Sequence, residues 1–211
     1  MADTTVYGYR RSVYVRIVRL ALEEKAASYR LVEIDPFAPG GLPAAYLERH
    51  PFGRIPAFEH DGFRLYETGA ITRYIDDVFP GPALRPGDAK GRARVDQIMS
   101  LLDNHAYRTM VWDVFVERAR GGADETRIAA AMARADTCMR ALEDHAGDGP
   151  WLVGSGLSLA DLHAAPIFAY FRRTGDGAAL IARHPRIAAW WAATDARPSM
   201  AATRFPVEET A

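Results

Sequence analysis

The stretch from Pro80 to Gly87 constrains the fold most strongly, because it concentrates residues that interrupt regular structure. It contains Pro80, Gly81, Pro82, Pro86 and Gly87. A run of this kind is typical of a linker between domains. We therefore place a boundary near residue 82 and predict two domains, over residues 1–82 and 83–211.

Strands and helices alternate before this linker. Hydrophobic spacing and turn signals predict a strand at Thr4–Tyr7, a helix beginning at Ser12, a strand at Tyr29–Ile34, a short helix ending near His50, strands at Ala57–Glu59 and Phe63–Tyr66, and a helix beginning at Glu67. The order is β-α-β-α-β-β-α. The β-α-β opening favours a parallel strand pair, whereas Asp61-Gly62 between two apolar segments predicts an antiparallel hairpin. The N-terminal domain is therefore expected to be an α/β domain with a mixed sheet.

Only helices are predicted after the linker. They cover residues Gly91–Glu117, Asp124–Ala146, Ser158–Arg173 and Pro185–Ala196. Ser158 and Asp161 have the spacing of a capping box, and Leu157 and Leu162 are placed as its hydrophobic staple. The second domain is therefore expected to be all-α.

Composition excludes several classes of function. The chain has 26 basic and 27 acidic residues, so no general field attracts nucleic acid or an anionic membrane. Cys138 is the single cysteine, and the six histidines are scattered without ligand spacing, so neither a disulfide nor a metal site is expected. With no export signal and no apolar run of about 18 residues, we predict a cytoplasmic protein that is not inserted in a membrane.

Three short segments could carry chemistry, and each has a plain structural alternative. Ser12 could cap a helix, or it could donate a hydrogen bond that stabilises an adjacent anion. The Ile55-Pro56 bond could be an ordinary trans turn, or a cis bend that leaves the main chain of Ile55 open to a peptide-like ligand. Glu67 and Thr68 could stabilise a helix start, or they could bind the head group of an α-amino acid.

Together these segments resemble one known family. The resemblance is carried by Val6-Tyr7-Gly8 with Ser12 and Arg16, by the run from His50 to Phe58, by Leu65 to Thr68, and by Ala70-Ile71 with Tyr74-Ile75. In this spacing they resemble a phi-class or similar bacterial glutathione transferase, over essentially the whole chain. The resemblance implies a thioredoxin-like N-terminal domain that binds glutathione and an all-helical domain that carries the electrophile pocket.

The same resemblance assigns roles to particular residues. Ser12 would donate its hydroxyl hydrogen to the sulfur of glutathione, the co-substrate, and hold a thiolate ready to attack. Tyr7 is the alternative activator, as in tyrosine-type relatives. The predicted glutathione-binding residues are Arg54, Ile55 and a cis Pro56 for the glycyl and cysteinyl parts, and Glu67 and Thr68 for the γ-glutamyl head.

The resemblance further implies conjugation of glutathione to a small apolar electrophile, a detoxification reaction, by a homodimer. The predicted pocket residues are Tyr9, Arg108, Val111, Trp112 and Phe115. Two alternatives stay open, namely glutathione-dependent peroxide reduction in the same site and a non-catalytic binding module of the same fold. The thiol exchange of cysteine-type relatives is disfavoured, because Cys138 lies inside a predicted helix and no cysteine stands at position 12.

Overall fold

The chain forms two compact units. The computed structural model describes residues 3–145 and 149–209. The first unit consists of Met1–Pro82 together with Pro198–Ala211, and the second of Ala83–Arg197. The predicted second domain, residues 83–211, thus differs from the structure in its last part, because residues from Pro198 onward belong to the first unit.

The first unit is built on a four-stranded mixed sheet. Its elements are β1 (Thr4–Gly8), α1 (Val13–Glu24), β2 (Arg30–Glu33), α2 (Ala44–Leu47), β3 (Ala57–His60), β4 (Phe63–Tyr66) and α3 (Thr68–Val78). The strand order is β2-β1-β3-β4, in which β1 and β2 are parallel and the other pairs are antiparallel. The predicted element order and mixed sheet are confirmed.

The β3–β4 hairpin follows from two residues. Asp61 and Gly62 form the loop, with φ of 48° and 81°. Positive φ at both central positions is what a two-residue loop needs to match the twist of its strands, and Asp-Gly tolerates it well. This turn fixes the register, in which His60 lies opposite Phe63 and Ala57 opposite Tyr66.

Within its described residues, the regular elements of the second unit are all helices, joined by loops. Its elements are α4 (Ala89–Leu101), a π-helical segment (Leu102–Val116), α5 (Glu117–Ala119), α6 (Glu125–His145), α7 (Leu159–Phe171), α8 (Gly175–Ala182) and α9 (Pro185–Asp195). The predicted all-α domain is thus confirmed. One detail differs, because the helix predicted over Gly91–Glu117 is wound as a π-helix for 15 residues, Leu102–Val116.

A buried hydrogen-bond network surrounds Asp161 at the start of α7. Asp161 Oδ2 accepts hydrogen bonds of 2.7 Å from both the backbone N–H and the hydroxyl of Ser158, which confirms the predicted capping box. Asp161 Oδ1 accepts from the Leu152 N–H at 2.8 Å and from the Trp190 indole at 2.9 Å. Burial raises the pKa of the Asp161 carboxyl, and these four donors act against that rise.

His184 connects the start of α9 to α6. Its Nδ1 lies 2.8 Å from Glu143 Oε2, and its Nε2 lies 3.1 Å from Asp136 Oδ1. The hydrogen bond from His184 and the charge of Arg140 hold the pKa of the Asp136 carboxyl below its usual value. We therefore expect this contact between α9 and α6 to weaken in acid.

We expect Asp136→Asn to reveal that sensitivity. A carboxyl with a lowered folded-state pKa stabilises the protein above its unfolded pKa of about 4, and this contribution is lost as the pH falls through the folded pKa. The difference in unfolding free energy between wild type and Asp136→Asn should therefore hold above about pH 5 and shrink as the pH falls from there to about pH 3. Urea unfolding measures it, and Asp144→Asn on the exposed face of α6 is the matched control. A difference that stays constant over this range would show that Asp136 contributes no acid sensitivity.

Residues 198–209 form two short helices, α10 (Pro198–Ala202) and α11 (Pro206–Glu209). They pack on α1, where Arg19 donates a 3.2 Å hydrogen bond to the carbonyl of Ala202 and Ser199 donates to the Glu24 carboxylate. These partners are more than 170 residues apart in the sequence, so local patterns gave no sign of them. Within the described ranges, no helix combines the length and the apolarity needed to cross a bilayer.

Candidate active site

Three loops of the first unit meet at one edge of the sheet. Tyr7 near the end of β1 lies opposite Ala57 at the start of β3, and Ala57 lies opposite Tyr66 at the end of β4. The segments that continue from these residues therefore emerge side by side. They are the β1–α1 loop with Ser12, the Ile55-Pro56 turn, and the start of α3 with Glu67 and Thr68.

Gly8 allows the first two of these segments to approach closely. A Cβ at this position would lie 2.3 Å from Val15 Cγ2 of α1 and 3.5 Å from Ile55 Cβ. Any larger residue would push α1 away from the sheet. The absence of a side chain at Gly8 thus sets the distance between the start of α1 and the Ile55-Pro56 turn, whose peptide bond is cis.

Ser12 is the N-cap of α1. Its backbone is extended (φ −79°, ψ 130°), and its Oγ accepts a long hydrogen bond of 3.4 Å from the Val15 N–H. Its own N–H donates to the Tyr9 carbonyl at 2.8 Å. Within the described part of the chain the hydroxyl donates to no partner, so its proton is available to a ligand. Ser12 therefore caps the helix and can also stabilise an anion at the positive end of α1.

Tyr7 faces away from α1. Successive side chains of a strand point to opposite faces, and the position of Gly8 against Val15 shows that α1 covers the Gly8 face. On the other face, the guanidinium of Arg49 lies 4.6 Å from the centroid of the Tyr7 ring. The Tyr7 ring therefore lies on the sheet face opposite α1, and the choice between Ser12 and Tyr7 as activator stays a prediction.

Glu67 occupies a backbone conformation that few side chains adopt. Its φ is 70°, in the left-handed region, which costs a residue other than glycine about 1–3 kcal/mol. The side chain is exposed at the start of α3 and makes no cap hydrogen bond, while Thr68 is buried. Strain of this kind points to a functional reason for the local geometry.

His50 is a further residue of this site, to which the sequence analysis gave no role. It is 3% exposed, and its ring centroid lies 4.9 Å from that of Tyr66. Burial lowers the pKa of His50, the charge of Glu67 raises it and the charge of Arg54 lowers it. The charges of two predicted glutathione-binding residues therefore act on the His50 imidazole. Its only sequence signal was its place at the start of the His50–Phe58 motif.

The side chain of Arg54 is exposed, and its main chain is fixed by a hydrogen bond from α2. The Arg54 carbonyl accepts a 2.7 Å hydrogen bond from the Tyr46 hydroxyl, and burial raises the pKa of Tyr46 to about 12. The guanidinium has no hydrogen bond or ion pair among the described residues. It is therefore free to pair with a ligand carboxylate.

The predicted electrophile-pocket residues do not all share one environment. Arg108, in the π-helical segment, lines a cavity of about 480 Å³ against α6 and donates to Asp113 at 3.2 Å. The Phe115 ring instead lies 4.6 Å from Tyr170 of α7, and the Trp112 indole donates to the Tyr107 hydroxyl at 3.0 Å. Val111 is buried, and Tyr9 lies in the β1–α1 loop of the other unit. Their assignment to an electrophile pocket stays a prediction.

The single cysteine and the possible metal ligands were also compared with the requirements of a catalytic site. Cys138 lies in α6 and is buried, and burial raises the pKa of its thiol. A buried thiol with a raised pKa is a poor nucleophile. In residues 3–145 and 149–209, no three or more His, Cys, Asp or Glu side chains are grouped so that they could hold a metal ion.

Comparisons with known proteins agree with this geometry. Residues 6–83 match the model of the glutathione S-transferase N-terminal domain, and residues 125–193 match that of the C-terminal domain. The chain belongs to the glutathione S-transferase superfamily. The first matched region ends inside the linker at residues 80–87 and contains the candidate site, and the second lies within the helical unit.

Curated relatives and solved structures cover nearly all of the chain. A probable glutathione S-transferase of Oryza sativa subsp. japonica is 29% identical over 95% of this chain and 94% of its own. Glutathione S-transferase F7 of Arabidopsis thaliana is 29% identical over 94% and 98%. The crystal structure of glutathione transferase F7 from Populus trichocarpa superposes with a TM-score of 0.80 at 29% identity, over 95% and 97%. These relatives support a phi-like transferase.

Proposed function

We propose that this protein conjugates the thiolate of glutathione to a small apolar electrophile, with Ser12 as the activating residue. The observation that carries the proposal is the hydroxyl of Ser12, which caps α1 and keeps its proton available at the positive end of the helix. A hydrogen bond to a charged group contributes about 1.5–3 kcal/mol, which corresponds to a lowering of the thiol pKa by roughly one to two units.

The other two loops complement the rest of the tripeptide. Glu67 would accept hydrogen bonds from the ammonium of the γ-glutamyl head, while Thr68 and the first N–H groups of α3 bind its carboxylate. The main chain of Ile55, next to Pro56, would pair with the cysteinyl backbone as an added strand. The Arg54 guanidinium would pair with the glycyl carboxylate. Every ionised group of glutathione thus has a counterpart of suitable chemistry at this edge.

We expect Glu67→Gln to weaken glutathione binding by about tenfold, equivalent to roughly 1.4 kcal/mol. Glutamine keeps the size of the side chain but loses the charge that pairs with the ammonium. Calorimetric titration with glutathione measures the effect, and Glu48→Gln, an exposed residue at the end of α2, is the matched control. Equal affinities of wild type and Glu67→Gln would remove Glu67 from the binding site.

The function is tested by turnover of the wild-type protein with glutathione and a chloronitrobenzene, alongside calorimetric binding of glutathione. Conjugation together with binding supports the proposal. Turnover of an organic hydroperoxide but not of the chloronitrobenzene would favour peroxide reduction in the same site. If glutathione neither binds nor reacts, the protein acts instead as a binding module.

The proposal extends to assembly and location. We infer a homodimer acting in the cytoplasm, where the conjugation of reactive electrophiles serves detoxification. Sedimentation equilibrium of the full chain tests the assembly, and the mass of a single chain would contradict it.

A further inference from the structure

The C-terminal segment, residues 198–209, contacts α1 through Arg19 and Glu24, and also through the buried side chain of Arg16. The side chain of Arg16 has no solvent exposure, although it carries a charge. Removing a guanidinium from water is costly unless its donors are satisfied. Its donors are satisfied here by the C-terminal segment.

Three separate groups of that segment receive hydrogen bonds from the Arg16 fork. Nε donates to Thr203 Oγ1 at 3.3 Å, Nη1 to Glu208 Oε2 at 2.6 Å, and Nη2 to the Met200 carbonyl at 3.1 Å. The guanidinium carbon also lies 4.4 Å from the centroid of the Phe205 ring. A planar group bonded in three directions is fixed in both place and orientation.

Arg16 belongs to the turn of α1 that presents Ser12. Its backbone N–H donates to the Ser12 carbonyl at 3.0 Å and so closes the first turn of the helix. Residues four positions apart lie on the same face of a helix, so the immobilised side chain stands directly below the N-cap. An apolar side chain at position 16 would pack α1 against this segment without the cost of desolvating a charge. It would not form the three hydrogen bonds that fix the position of the first turn of α1.

We propose that Arg16 is a positioning residue for Ser12, and that residues 198–209 thereby take part in activation of the glutathione thiol. The inference rests on the proposed function. Arg16 does not touch glutathione. It acts by holding the first turn of α1 so that the Ser12 hydroxyl keeps one position relative to the thiol.

Two variants that preserve charge test this role. Arg16→Lys keeps the cation but loses the fork, and Thr203→Val removes the acceptor for Nε with little change in shape. Arg19→Lys is the matched control, since Arg19 also donates from α1 to this segment, at the Ala202 carbonyl. For each protein the pKa of bound glutathione is measured from thiolate absorbance, together with kcat, the KM for glutathione and the melting temperature.

We expect Arg16→Lys and Thr203→Val to raise the bound thiol pKa and to lower kcat at neutral pH by about three- to tenfold, as for a misplaced hydrogen-bond donor. KM should change less than kcat, and Arg19→Lys should keep the wild-type thiol pKa. A wild-type thiol pKa in both Arg16→Lys and Thr203→Val, whatever their melting temperatures, would overturn the inference. If the wild-type protein itself does not lower the pKa of the bound thiol, the proposed function is wrong. That outcome is distinct from the one in which the wild type lowers the thiol pKa and the two variants lower it equally, which contradicts only the role of Arg16.

Discussion

Ser12→Ala is expected to retain glutathione binding and to lose at least about tenfold in conjugation rate, equivalent to roughly 1.4 kcal/mol of transition-state stabilisation. The physical reason is that alanine removes the only hydroxyl at the N-cap of α1, while the groups proposed to bind the tripeptide lie in the other two loops. Steady-state rates with a chloronitrobenzene and calorimetric binding measure the two effects separately.

Two further variants separate chemistry from helix capping. Ser12→Gly lacks the hydroxyl but costs the helix start only a few tenths of a kcal/mol, so its rate should fall as far as that of Ser12→Ala. Ser12→Thr keeps a hydroxyl and should recover part of the rate. Tyr7→Phe should leave the rate unchanged, because Tyr7 lies on the sheet face with Arg49. Loss of rate in Tyr7→Phe alone would transfer the role to the tyrosine.

Asp161→Ala is expected to destabilise the helical unit by about 3–5 kcal/mol, because it leaves several buried donors without an acceptor. These donors are the Leu152 N–H, the Ser158 N–H and hydroxyl, and the Trp190 indole. Few single substitutions in a small domain exceed this range. Urea unfolding followed by tryptophan fluorescence measures it directly, since Trp190 itself bonds to Asp161.

Two comparisons make the Asp161 result specific. Asp195→Ala removes a carboxylate from the exposed end of α9 and should change the unfolding free energy by no more than about 0.5 kcal/mol. Asp161→Asn keeps the size and one acceptor oxygen, and should lose less than Asp161→Ala. A loss below about 1 kcal/mol for Asp161→Ala would show that water satisfies the four donors.

Much of the fold was predictable because its determinants are local. The Asp61-Gly62 loop and the Ser158/Asp161 capping box each depend on residues a few positions apart, so their geometry follows from the sequence alone. The candidate site was predictable for a related reason. Ser12, Ile55-Pro56 and Glu67-Thr68 each stand at the end of an element, and the sheet register then brings those ends together.

The features that the sequence did not predict depend on contacts between residues far apart in the chain or on the hydrogen-bond pattern within a helix. Residues 198–209 join the first unit through contacts with α1, among them the hydrogen bonds that Arg16 donates to groups more than 180 residues away in the sequence. The π-helical segment escaped prediction because apolar residues three to four positions apart indicate a helix without specifying which backbone hydrogen bonds it forms. His50 was missed because its sequence position does not show that its ring is buried against Tyr66, close to the start of α3.

The measurement that tests the central claim most directly is the pKa of the glutathione thiol bound to the wild-type protein and to Ser12→Ala, by titration of thiolate absorbance. A free cysteine thiol titrates near about 8.5. We predict a bound value at least about one unit lower in the wild type, and a return toward the free value in Ser12→Ala. A bound thiol pKa that equals the free value, or that stays equally low in Ser12→Ala, would contradict activation by Ser12.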